Sequence, residues 1–159
     1  MKKLQFSIVI QAAVAQVWQA MLGPETYPIW TEPFCEGSYF EGSWQQGAAI
    51  RFLSPSGDGM TSMIAENRLH EFISIKHLGV IRAGVEDTTS AEVLSWAQGF
   101  ENYTFVKGVD DATTTVLVEL DMTEEYEQYM NDTWPQALAK LKAISEMKGD
   151  AIGEPVVSA

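Results

Sequence analysis

From Tyr126 to Ile144 the apolar residues of this chain fall on one face of a helix. Tyr126, Tyr129, Met130, Thr133, Trp134, Ala137, Leu138, Leu141 and Ile144 keep a helical period without a break in phase. A helix with one long apolar stripe must lie against another apolar surface. Glu124, Glu125 and Glu127 at its start, and Lys140, Lys142 and Lys148 toward its end, suit the helix dipole. Thr123 is placed to cap the start and Gly149 to end it. Pro135 lacks the N–H that would bond the Asn131 carbonyl, which predicts a kink. The phase resumes beyond it, so the helix is expected to continue.

The partner surface is written in a different period. Leu4, Phe6, Ile8 and Ile10 alternate with Gln5, Ser7 and Val9, the pattern of a half-buried strand. Val14, Val17, Trp18, Met21 and Leu22 then make a short amphipathic helix, stopped by Gly23-Pro24. Residues 24–30 allow one more helical turn. Strands follow over 38–44, with a bend at Gly42, and over 48–53, 60–68 and 72–80. The loop at 54–59 has the Ser, Pro, Gly and Asp content of a hairpin turn. Two further strands, 100–106 and 113–120, flank the turn at Lys107-Gly108-Val109-Asp110-Asp111.

Residues 81–99 break the pattern. Thr89 and Glu92 have the spacing of a capping box, and 91–97 can form a short helix with Val93, Leu94 and Trp96. Such an insert is either a lid over a cavity or the cover of a sheet edge.

These elements predict an α+β domain. A curved antiparallel sheet of about six or seven strands grips a long C-terminal helix. The order is strand, helix, short helix, five or six strands, long helix. Residues 1–149 read as one domain and 150–159 as a loose tail.

Charge and cysteine content narrow the partners. Twenty-two Asp and Glu against ten Lys and Arg leave a net charge of −12. Nucleic-acid binding needs a concentrated basic surface, so that class is excluded as an expectation. No apolar run approaches the ~20 residues of a membrane span. Cys35 is the only cysteine, so no internal disulfide forms and a reducing cytoplasm is the expected compartment.

Several local patterns resemble the SRPBCC superfamily of START-like proteins. They are Ala13-x-x-x-Val17-Trp18-x-x-Met21 and Pro24-Glu25-x-Tyr27-x-x-Trp30, then Gly42-Ser43-Trp44-x-x-Gly47-x-x-Ile50-x-Phe52. Glu101-Asn102-Tyr103-Thr104-Phe105, Thr113-Thr114 and Trp134-x-x-Ala137-Leu138-x-x-Leu141-Lys142 complete the set. The branch they resemble is the one similar to the activator of the heat-shock-protein-90 ATPase. The resemblance implies the helix-grip fold with a cavity between sheet and helix. It implies ligands such as lipids, sterols or polyketides, and it implies no particular reaction. Eukaryotic members that stimulate the chaperone carry an additional N-terminal domain, for which these residues leave no space.

Alternation then orients the candidates. Ile73, Ile75 and His77 should face inward on one strand, and Glu101, Tyr103 and Phe105 on the next. Val116, Val118 and Leu120 follow, faced by Trp134, Leu138 and Leu141 from the helix. The 60–68 strand is ambiguous, with Met60, Met63 and Ile64 on both faces. The expected ligand-contacting set is Trp30, Phe52, Met63, Ile75, His77, Glu101, Tyr103, Phe105, Trp134 and Leu138. For each apolar member, plain core packing is the competing explanation. His77, Glu101 and Tyr103 say more, because an inward polar group needs a partner. They either form the polar end of a cavity or pair with each other.

His70 and His77 lack metal-site spacing, and no phosphate loop or nucleophile motif is present, so no cofactor or catalytic set is expected. Three functions fit. The first is non-catalytic binding of a small, largely apolar molecule, and the second is a cyclase or hydrolase using the cavity's polar groups. The third is a protein-interaction module associated with a chaperone.

Overall fold

The computed structural model describes residues 1–147. The expected helix stop at Gly149, Lys148 and the tail at 150–159 lie outside the described residues. The elements run β1 (Lys2–Ile10), α1 (Val14–Leu22), α2 (Tyr27–Trp30), β2 (Tyr39–Gly42), β3 (Ala49–Leu53), β4 (Gly59–Arg68) and β5 (Phe72–Arg82). They continue with β6 (Val85–Asp87), α3 (Ala91–Leu94), β7 (Phe100–Lys107), β8 (Thr114–Met122) and α4 (Glu124–Met147). All strand pairs are antiparallel, in the order β1-β8-β7-β5-β4-β3-β2, with β6 pairing the far end of β5. This is the expected curved sheet gripping a long C-terminal helix.

Alternation holds where the strands are regular. Leu4 and Ile10 are buried on β1 while Gln5, Ser7 and Val9 face solvent. Tyr103 and Phe105 on β7 and Val116, Val118 and Leu120 on β8 turn toward the helix. From α4, Trp134, Ala137, Leu138 and Leu141 complete the core. The helix packs on β1, α1 and α2. Trp30 donates its indole N–H to the Met21 carbonyl at 3.0 Å, which ties α2 to the end of α1.

Two bulges interrupt β4 and β5. Thr61 pairs with Gly79 but Ser62 with His77, so Leu78 is an extra residue on β5. Ile64 pairs with Ile75 but Glu66 with Ser74, so Ala65 is an extra residue on β4. Bulges sharpen the local twist and re-aim the side chains beside them. Between the bulges Ser62 and Ile64 are buried, and Met63 points to the other face, in register with Ala49 and Lys76. Gly42 supplies the expected bend. Its φ is +115°, and a Cβ there would stand 2.4 Å from the Ala49 carbonyl oxygen.

Four local expectations change. β5 runs on to Arg82, and a strand not expected from the sequence, β6, returns beside it. Ser90, not Thr89, caps α3: its hydroxyl accepts the Val93 N–H at 3.3 Å. The cause is Asp87, whose carboxylate takes the N–H groups of Thr89 and Ser90 and delays the helix by one residue. Thr123 does not cap α4, since its hydroxyl has no hydrogen-bond partner. Tyr126 and Tyr129, first on the apolar stripe, remain about half exposed at 50% and 45%. The helix itself runs through Pro135 without interruption. The 81–99 insert resolves as an edge cover. β6 occupies the flank of β5 beyond its pairing with β7, and α3 packs on β5 with Val93 fully buried.

Leu141 is fully buried where α4 meets the sheet, whereas Leu94 is 58% exposed. Leu141→Ala should cost about 2–5 kcal/mol of stability in urea denaturation, as deleting a fully buried leucine side chain does. Leu94→Ala should stay within about 0.5 kcal/mol. Equal losses at the two sites would contradict this placement of the core.

The candidate site is a cavity with one polar wall

Between the sheet, α2 and the first half of α4 lies a cavity of about 300 Å³. Its walls are mainly aromatic. Tyr27, Trp30, Phe34, Phe52, Tyr103 and Trp134 contribute rings, and Met60 and Met130 add flexible apolar side chains. The rings brace one another. Trp30 meets Tyr27 edge-on at 5.5 Å and lies tilted against Trp134 at 5.8 Å. Tyr27 stacks on Phe52 at 6.1 Å, and Trp134 meets Phe34 at 5.1 Å and Tyr103 at 6.1 Å. Each such pair contributes about 0.5–1.5 kcal/mol beyond its area burial. Rings held this way cannot easily collapse into the space they surround.

One wall is polar. It is built across three adjacent strands, β4, β5 and β7. The Ser62 hydroxyl lies 2.8 Å from His77 Nδ1, and His77 Nε2 lies 3.0 Å from Glu101 Oε1. The Tyr103 hydroxyl donates to Glu101 Oε2. The Leu78 bulge makes the first contact, because it brings Ser62 directly opposite His77. Alternation makes the last, because Glu101 and Tyr103 are two apart on one face of β7.

Chemistry orders these bonds. A carboxylate only accepts, so with neutral His77 the Nε2–H donates to Glu101. Nδ1 is then the acceptor and takes the Ser62 O–H. Ser62 is 1% exposed and does not line the cavity, whereas His77 and Glu101 do. Ser62 therefore orients the imidazole from behind and is out of reach of a bound molecule. The two alternatives for the inward polar groups are realised together: they pair with one another and also face the cavity.

Six of the ten expected residues line the cavity: Trp30, Phe52, His77, Glu101, Tyr103 and Trp134. Four do not. Ile75, Phe105 and Leu138 lie in the packed core at 1%, 5% and 2% exposure. Met63 is turned to the other face of β4, and Met60 takes its place. The sequence reading missed Ser62, which no periodicity singled out, and the residues of the mouth. The mouth includes Cys35, Ser38, Ser54 and Asp58. The turn signal at 54–59 marked that loop without marking its role. Among the described residues no group of three or more His, Cys, Asp or Glu is placed to hold a metal ion. No helix among them is long and apolar enough to cross a membrane.

No family model matches the sequence, and no curated protein matches it. Solved structures do. The solution structure of the Aha1 dimer from Colwellia psychrerythraea is 16% identical with a TM-score of 0.70, over 95% of this chain and 100% of that one. CalU16 from Micromonospora echinospora is 15% identical with a TM-score of 0.64, over 92% of this chain and 78% of that one. DynU16, from the dynemicin biosynthetic locus, is 15% identical with a TM-score of 0.68 over 98% of this chain. This chain spans about half of DynU16, 49% of its length. At such identities the likeness is one of fold: the chain has the START-like helix-grip fold.

Burial holds the protons on Tyr27 and Tyr103 well above the ordinary phenol value of 10.0, and the Glu101 charge adds to the effect. A raised folded value stabilises the fold fully below the unfolded value and is lost as pH rises through it. The urea midpoint should therefore fall as pH rises above about 10. Tyr27→Phe, which removes one phenol without touching the Ser62–Tyr103 chain, should make that fall shallower. Parallel declines in the two proteins would show that Tyr27 does not contribute.

Proposed function

We propose that this chain binds a small, largely apolar molecule in the cavity between the sheet and α4, without transforming it. The observation that carries this reading is an open space of about 300 Å³ inside a braced aromatic shell, with polar groups on one wall. Ligand sites have this form: mostly apolar lining and a few placed polar groups that fix orientation. Trp30, Phe52, Trp134 and Tyr103 supply the apolar contact, and His77 and Glu101 supply the orientation. Each 100 Å² of apolar ligand surface buried here would contribute about 2.5 kcal/mol. The volume is at the small end of the usual range, which suits a compact ligand of one or two rings. Within the fold we place the chain beside the branch similar to the activator of the heat-shock-protein-90 ATPase. That placement is supported by the sequence resemblance and by the likeness to Aha1, whose whole length is covered. We also read residues 1–149 as the domain and the cytoplasm as its compartment. The net charge of −12 supports a partner other than nucleic acid.

A second reading has its own observation in favour. Ser62, His77, Glu101 and Tyr103 form a continuous hydrogen-bonded chain on one face, and proton transfer needs such groups within hydrogen-bond reach of each other. In that reading the His77–Glu101 pair takes up a proton from a bound substrate, with Ser62 holding the imidazole tautomer.

Native mass spectrometry of protein purified from its own host tests the first reading. A stoichiometric small molecule is expected, and Met60→Trp, which fills the cavity from its wall, should abolish its retention while the fold survives. A ligand held equally well by Met60→Trp would place binding elsewhere. Incubating the extracted molecule with fresh protein separates the two readings. Recovery unchanged supports binding alone, whereas conversion that Glu101→Gln abolishes supports the enzyme.

A further inference from the structure

The cavity has acids on its walls and no permanent base. Asp58 stands at its mouth and Glu101 within it, and among the described residues no Lys or Arg lines it. Most of the chain's cations are spent on the surface. Lys2, Lys3, Arg51, Arg68, Lys107, Lys140 and Lys142 all pair with exposed or half-exposed carboxylates. The Glu101 side chain is only 22% exposed, and the side chains bonded to it are His77 and Tyr103. No Lys or Arg among the described residues reaches it.

The Glu101 charge is felt across the cavity. It raises the proton affinity of Tyr103 beside it and of Tyr27 on the α2 side. Glu101 also has bonding capacity to spare. A carboxylate offers about four lone-pair positions. His77 occupies one on Oε1 and Tyr103 one on Oε2. What remains can only accept. An anionic head group would meet like charge without a compensating cation, and a carbonyl would meet acceptor against acceptor. A donor fits, and a charged donor fits best, because the surrounding rings also attract cations through their faces. The protein's overall negative charge would draw such a molecule toward the mouth.

We propose that the occupant of this cavity is an organic cation: a protonated amine carried on an aromatic or otherwise apolar body, with its ammonium group set against Glu101 and the ring-lined wall. This rests on the binding reading above and specifies the ligand class for it. Fatty acids and other apolar anions of the same size are the wrong class for this site.

Three probes of one shape test the assignment by calorimetry at neutral pH: 1-naphthylmethylamine, 1-naphthylmethanol and 1-naphthoate. The amine should bind the unmodified protein about tenfold tighter than the alcohol, as a partly desolvated charge-assisted contact allows. Naphthoate should bind weakest. Glu101→Gln should remove the advantage of the amine over the alcohol. Met60→Trp should remove amine binding altogether. Equal affinities for amine and alcohol in the unmodified protein, or tightest binding of naphthoate, would overturn the cation assignment and leave the binding reading standing. Amine binding that survives Met60→Trp would assign the effect to surface charge and overturn it too. If none of the three binds, both readings fall.

Discussion

Trp134 is the contact on which the remainder of the molecule is arranged. Its ring meets Phe6 from β1, Trp30 from α2, Phe34 from the following loop and Tyr103 from β7. One side chain of the helix thus touches a strand at the sheet's edge, a central strand and the short helical segment that closes the side. It is 3% exposed, so this junction is dry. Below it, toward the C-terminal end of α4, Ala137, Leu138 and Leu141 pack solidly against the sheet. Above it, Met130 and the stacked rings of Tyr27 and Phe52 border the cavity. The same indole therefore closes the core and floors the cavity.

The polar wall is stable because it is complete. Serine, imidazole, carboxylate and phenol each find a partner, so the usual penalty of about 1–3 kcal/mol for an orphaned buried polar group is avoided. The arrangement depends on strand geometry rather than on any long loop. Its members come from three neighbouring strands, and the Leu78 bulge sets the only cross-strand contact that plain pairing would not have provided. A site mounted on a sheet is held more firmly than one mounted on loops.

The fold was legible where one period ruled a segment. β1, β7 and β8 alternate cleanly, and α1 and the second half of α4 keep their stripe, so their buried faces follow directly from the residues. Legibility stopped at the bulges. Ala65 and Leu78 each add a residue to one strand, and a two-residue pattern has no means of registering an insertion. Met63 read as an inward candidate for another reason: β4 carries apolar residues on both faces, Met60 and Ile64 on one and Met63 on the other, so alternation alone did not say which face turns inward. β6 escaped for a different reason. It is three residues long, two of them acidic, and exists only because β5 offers an unpaired flank. His77, Glu101 and Tyr103 were visible because polar groups on an inward face are conspicuous. Ile75, Phe105 and Leu138 show the converse: an apolar inward residue looks the same whether it borders a cavity or fills a core.

The aromatic shell also has an optical consequence. Two of the chain's five tryptophans, Trp30 and Trp134, border the cavity, and Tyr27 and Tyr103 lie against them. Excitation absorbed by either phenol is passed to an indole over such a short separation. The indole's emission colour depends on the polarity of the space beside it. A molecule entering that space changes the surroundings of both emitters at once. The protein is in effect its own dye, reporting whether its interior is occupied without any label.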